Sequence, residues 1–214
     1  QGYKENDPMG GHDPYSSSKG CAELVTLAYR RSFLQDQGVS LASVRAGNVI
    51  GGGDWADDRL IPDILRSFEK NKPVVIRNPK ATRPWQHVLE PLSGYLVLAQ
   101  KMYNNHKEYA EGGNFGPREE DVKPVGWILD KMISKWPDSS WELDQNSNPH
   151  EADFLKLDIS KAESKLGWKP VWELSHTIDK IIDWHKAWLD KEDMQAVCLA
   201  EIEEYTKDMS NENY

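Results

Sequence analysis

The residues best suited to chemistry are Tyr15 and Lys19, four positions apart in the run Tyr15-Ser16-Ser17-Ser18-Lys19. Residues at that spacing share a face if the segment is helical. A tyrosine hydroxyl ordinarily titrates near pH ~10, so it becomes a useful base at neutral pH only where a cation stabilises its phenolate. A lysine ammonium alongside would do so, and the chemistry the pair offers is proton transfer. The spacing alone is a weak signal, because Tyr103 and Lys107 repeat it. Context separates the two pairs. Tyr15 follows Pro14, is flanked by small residues that let a ligand approach, and precedes a helix and strand that run into Arg45-Ala46-Gly47-Asn48. Tyr103 closes an apolar helix and has no glycine-rich loop after it.

A second set of polar residues, Asn48, Arg59, Arg83, Asn114 and His150, could grip phosphate and sugar. Arg83 stands among prolines close to Trp85, which suggests a fixed guanidinium fork of the kind that suits a diphosphate. Gly51-Gly52-Gly53 lacks both the GxGxxG spacing before a helix and the GK[ST] of a P-loop, so it reads as a flexible rim of a substrate pocket. No HExxH, EF-hand or nucleophile-elbow pattern occurs, and Cys21 and Cys198 lie too far apart in sequence to suggest a metal site.

The elements that must position these residues follow from periodicity and punctuation. Residues 1 to 14 carry glycines and prolines among charges and read as a loop. From Tyr15 a helix is expected, with Ala22, Val25, Ala28, Tyr29 and Phe33 on its apolar face and Gly38 as the stop. A short strand over Leu41 to Val44 then leads into the glycine-rich loop. A loop at the end of a buried strand is where α/β folds place ligands. Helices are expected over Leu60 to Phe68, Leu92 to Tyr103, Val125 to Trp136 and Ser160 to Leu166, and strands at Val74 to Ile76, near Asn114 and around Phe154 to Leu157. A further amphipathic helix carries Leu174, Ile178, Ile181, Ile182 and Leu189, with His185 read as a packed side chain on that face. Glu201 to Asp208 and beyond reads as a solvated helix with a frayed end. Helices alternating with short strands indicate an α/β class.

Composition narrows the partners. At 214 residues the chain can bury a core, and its formal charge of −9 disfavours nucleic acid or an anionic membrane. No apolar run approaches the roughly 20 residues of a membrane span. The nine tryptophans are expected mainly in the core. A cytoplasmic protein is the expectation, given the cysteine usage.

Three stretches carry a closer resemblance: Asp7 through Lys19, Arg45 through Ala56, and Arg83-Pro84-Trp85-Gln86-His87-Val88-Leu89-Glu90-Pro91. With Leu166-Gly167-Trp168-Lys169-Pro170, they resemble the extended short-chain dehydrogenase/reductases, and within them the CDP-glucose 4,6-dehydratases. The resemblance implies the C-terminal part of a Rossmann-type parallel sheet, here residues 1–52. Residues 53–214 would be mainly a smaller α/β nucleotide-sugar-binding domain, with segments near 85–117 returning to the Rossmann domain. It implies NAD as cofactor and conversion of CDP-glucose to CDP-4-keto-6-deoxyglucose, a step toward the dideoxy sugars of the O-antigen. Tyr15 would take the C4 hydroxyl proton, Lys19 would hold the phenolate and the nicotinamide ribose, and Ala46 would lie near the nicotinamide. Asn48, Arg59, Leu60, Arg83, Asn114 and His150 would contact the nucleotide or sugar. Asn148-Pro149 precedes His150 where many relatives carry Arg-Pro-Gly. The glycine-rich fingerprint and the Thr/Ser-Asp element of the family are expected ahead of Gln1, so the isolated chain is expected to be inactive. A homo-oligomer is implied through the helix that begins at Tyr15. Epimerase or decarboxylase activity on another nucleotide sugar, or a non-catalytic nucleotide-sugar-binding or dimerising module, are the alternatives.

Overall fold

The computed structural model describes residues 2–11, 13–105, 107–145 and 154–211. In chain order the elements are α1 (Pro14–Tyr29), β1 (Ser43–Ala46), β2 (Asn48–Ile50), α2 (Leu60–Glu69), β3 (Val74–Ile76), β4 (Thr82–Arg83), β5 (Trp85–His87), α3 (Leu89–Asn104) and β6 (Gly112–Phe115). They continue with β7 (Lys123–Pro124), α4 (Val125–Lys135), β8 (Trp141–Leu143), α5 (Leu174–Leu189) and α6 (Met194–Asn211). Three strand pairs are parallel, β1 with β6, β2 with β5 and β3 with β8, while β4 and β7 run antiparallel. Parallel pairs need long crossovers, and helices supply them here, as the α/β class requires. The chain divides into two compact units, one of residues 1–46, 91–115 and 157–169, the other of 47–90, 116–156 and 170–214.

In the first unit α1 starts where the sequence signals it. Pro14 opens the helix and the Asp13 side chain caps it by accepting from the Ser16 amide at 2.9 Å. The helix runs on through one wider turn, Arg30–Leu34, towards Gly38 at φ +70°. Its apolar stripe does not enter a core: Val25, Tyr29 and Phe33 are all exposed among the described residues. Periodicity identifies a face but not what covers it. The small core of this unit is instead Leu98, Phe115, Ala162 and Trp168, with Trp168 Nε1 donating to Ser93 Oγ at 2.9 Å. Gly94 is obligatory there, since a Cβ would lie 2.3 Å from the Phe115 ring.

The second unit holds the larger core, in which Ile64 and Phe68 of α2, Ile128, Leu129 and Met132 of α4, and Leu174, Ile178, Ile181 and Ile182 of α5 are buried together. In α5 the positions read from the helical period, Leu174, Ile178, Ile181 and Ile182, are buried, whereas Leu189 at the helix end is exposed. Trp168, Trp172 and Trp184 are buried and Trp188 is exposed, so most of the C-terminal tryptophan cluster does pack inside. His185 is also buried, 2.8 Å from Glu69 Oε1, as a packed histidine.

Several expectations give way. β1 starts two residues late, and Gly47 then breaks the chain before a second strand, β2, that periodicity missed. Phe154 to Leu157 forms no strand; each end makes a single bridge, Phe154 with Thr82 and Leu157 with Tyr3. A strand of that length needs a continuous ladder, which neither partner extends. The glycine run is not a flexible rim. A Cβ on Gly52 would sit 2.2 Å from the Trp184 ring, and one on Gly51 would meet Val88 at 2.9 Å, so close packing selects these glycines. The tail is a helix but more than a solvated one: α6 buries Tyr205, and Asp208 accepts from Trp172 Nε1 at 2.9 Å.

Candidate active site

Within the first unit, Tyr15 lies in the opening turn of α1 and Lys19 one turn on, its ammonium 5.3 Å from the Tyr15 ring centroid. That distance is within cation-π range. The tyrosine is 71% exposed, and among the described residues no carboxylate pairs with Lys19. Both polar groups are therefore available to a ligand. The Asp13 cap fixes the turn that carries them, and hydrogen bonds from the Ser16 hydroxyl and amide hold the Asp13 carboxyl below the usual aspartate range. Gly20, the only buried residue of α1, lies against Gly10, where a Cβ would come within 3.3 Å of the Gly10 amide nitrogen.

Ala46 ends β1 opposite Phe115 in the register, and Arg45 stands opposite Asn114. Asn114 is buried, and its amide group is engaged, Nδ2 donating to the carbonyls of Tyr3 at 3.0 Å and Asp158 at 3.3 Å. Its Oδ1 has no hydrogen-bond partner among the described residues.

The second unit carries four of the other sequence candidates. Asn48 begins β2, its amide donating to the Pro84 carbonyl at 2.8 Å; Gly47 permits that approach, because a Cβ there would fall 2.2 Å from the same oxygen. Arg59 precedes α2 without a side-chain cap, its guanidinium 3.1 Å from Asp54 and largely in solvent, and Leu60 packs on the core behind it. The loop before them is tied down by Arg66, which donates to the carbonyls of Trp55 at 3.2 Å and Ala56 at 3.1 Å. Arg83 lies in β4, half-buried, with Nη1 donating to the Thr82 carbonyl at 3.1 Å. His150 falls outside the described residues.

Two acidic groups removed from solvent, one buried and one half-buried, escaped the sequence reading. Glu90, in the first turn of α3, accepts from the amides of Val171 at 2.9 Å and Trp172 at 2.7 Å and from the Tyr205 hydroxyl at 2.9 Å. Burial pushes its carboxyl up, and those donors pull it partly back. Beside it His87, also buried, lies 2.8 Å from Glu201 and edges onto the Trp172 ring. The only available signal was an acid and a histidine at a helix start. The other group is Glu23 on α1, bonded to Arg45 Nε at 2.7 Å and to the Ser43 hydroxyl at 2.6 Å.

The profile of the GDP-mannose 4,6 dehydratase family matches residues 1–181. The chain belongs to that family. It is 61% identical over 210 residues to the CDP-glucose 4,6-dehydratase of Salmonella typhimurium, covering 95% of this chain and 58% of that protein. It is 25% identical over 186 residues to UDP-glucuronic acid decarboxylase 1 of Xenopus tropicalis, covering 86% of this chain and 41% of the relative. Among solved structures, a dTDP-glucose 4,6-dehydratase from Bacillus anthracis in complex with NAD is similar with a TM-score of 0.68 at 16% identity, over 87% of this chain and 56% of that one. A UDP-glucuronic acid 4-epimerase variant from Bacillus cereus reaches 0.72 at 20% identity, over 88% and 57%. The chain thus spans roughly half of these proteins' lengths, and its α/β fold with parallel strand pairs matches part of the Rossmann-type fold of the two solved structures.

Proposed function

We propose that the protein carrying this chain is an NAD-dependent dehydratase that converts CDP-glucose to CDP-4-keto-6-deoxyglucose. The observation that carries this reading is the 61% identity across 95% of the chain, which includes the Tyr15 to Lys19 run and the Arg83 region. The exposed hydroxyl of Tyr15 and the uncommitted ammonium of Lys19 fit the nicotinamide end of NAD and a sugar hydroxyl, and Ala46 leaves room at the end of β1.

Within that reading Tyr15 accepts the proton of the C4 hydroxyl. Lys19 supports the resulting phenolate electrostatically and hydrogen-bonds a ribose hydroxyl. NAD, which Tyr15, Lys19 and the β1 end at Ala46 would help to hold, would supply a hydride acceptor for C4 and a donor for C6. Arg59 and Arg83 neutralise the diphosphate, while Asn48, Leu60, Asn114 and His150 orient nucleotide and sugar. The protein is further proposed to act in the cytoplasm as a homo-oligomer; no helix among the described residues is long and apolar enough to cross a membrane.

The test is turnover by the whole protein that contains these residues, supplied with CDP-glucose and NAD and followed for the 4-keto sugar. UDP-glucose and dTDP-glucose run in parallel report the nucleotide preference. Absence of a 4-keto product from CDP-glucose would overturn the proposal.

A further inference from the structure

We infer that Glu23 and Arg45 form a positioning device that holds the helix bearing Tyr15 and Lys19, so that the reaction depends on a carboxylate that touches neither substrate nor cofactor.

Among the described residues, the ties that run from α1 to its neighbours are mainly polar, with Gly20 its one buried residue. Glu23 reaches from the middle of α1 to β1 with both carboxylate oxygens, one on Arg45 Nε at 2.7 Å and one on the Ser43 hydroxyl at 2.6 Å. Arg45 passes the tether onward, Nη1 donating to the Glu5 carbonyl at 3.2 Å. The Glu5 side chain accepts from the Asn114 amide on β6 at 3.0 Å. A second tie, Arg30 Nη1 to the Leu41 carbonyl at 3.1 Å, lies beyond Glu23, on the side away from Tyr15. The pair is largely shielded from solvent, with side chains 18% and 24% exposed for Glu23 and Arg45. Arg45 holds the Glu23 carboxyl below the usual glutamate range, with Ser43 helping against the cost of burial.

Geometry makes the tether relevant to chemistry. Glu23 is one turn past Lys19 and two turns past Tyr15, so the three lie within about 80° of one another around the helix and span about 12 Å along it. Over that lever a tilt of about 5° displaces the tyrosine by about 1 Å, and errors of that size at a reacting group cost on the order of 10²-fold in rate.

The inference rests on the dehydratase reading for its catalytic consequence, and the test separates the two. In the whole protein, Glu23→Ala is expected to lower kcat by about 10- to 100-fold while the KM for CDP-glucose stays within about twofold. Hydrogen exchange is expected to quicken in residues 14–29 and not in α4 or α5. Glu23→Gln, which keeps both hydrogen-bonding positions, is expected to recover most of the rate. If Glu23→Ala does not fold, Glu23→Asp carries the test, since it keeps the charge and shortens the reach by one methylene; kcat must fall several-fold at unchanged KM. Unchanged exchange in residues 14–29, or a kcat within twofold of the wild type, would overturn the inference. A wild type without turnover would instead remove the dehydratase reading, and the exchange result would still decide whether Glu23 holds the helix.

Discussion

The two compact units are stabilised by different physics. The second rests on apolar burial, with Ile128, Leu129, Ile178 and Ile182 almost entirely removed from water. The first unit has a smaller apolar core around Phe115 and Trp168, and within it α1 is tied by a capped turn, a close glycine contact and a string of charged hydrogen bonds. The tyrosine and lysine suited to proton transfer sit on the sparsely buried element. Among the described residues, α1 is joined to its neighbours by a few directional contacts, so loss of one group is expected to shift the helix, whereas the second unit spreads its stability over many apolar ones.

The largest expected effect tests the chemical half of that contrast. Tyr15→Phe is expected to lower kcat of the whole protein by about 10²- to 10⁴-fold. Because the hydroxyl is exposed, the melting temperature should not move, and calorimetry alongside the assay checks both. Ile178→Ala is the converse experiment. Removing a fully buried side chain should cost about 2–5 kcal/mol in urea unfolding, with the residual folded fraction retaining its turnover.

Glu90 and Glu23 sharpen the comparison through pH. Glu90→Gln turns one acceptor into a donor facing the amides of Val171 and Trp172, at a cost of about 1–3 kcal/mol. The raised carboxyl of Glu90 favours the folded state below the ordinary glutamate value, and that contribution is lost as pH rises through the folded one. Glu23 behaves oppositely. Its lowered carboxyl stabilises the fold above the ordinary glutamate value and loses that effect as pH falls through the folded one. Urea titrations across the acid range should therefore show a shallower acid loss in Glu23→Gln and a shallower loss with rising pH in Glu90→Gln. The smallest effect belongs to the repeated spacing: Tyr103→Phe, on a ring 81% exposed, should leave turnover unchanged and stability within about 0.5 kcal/mol.

Local signals in the sequence were enough to place α1, α2, α4 and α5, because Pro14, Gly38 and the apolar period of residues 60–68, 125–136 and 174–189 act within one element. The Tyr15 and Lys19 pair was legible for the same reason, its partners being one helical turn apart. β5 and β8 were not, since Trp85-Gln86-His87 and Trp141-Glu142-Leu143 are too short to show a period and exist through pairing with β2 and β3. The glycine run was misread because its meaning lies in Trp184, more than a hundred residues away in sequence.

By itself, then, the sequence determined the element types, the α/β class and the proton-transfer pair, all of which depend on neighbours within a few residues. Only the tertiary structure decided that Arg45 serves Glu23, that Asn114 spends its amide on Tyr3 and Asp158, and that Glu90 ties Tyr205 to the turn before α5. Hydrogen bonds reach about 3 Å in space whatever the separation along the chain, and a charged side chain shows its partner only once the backbone has folded.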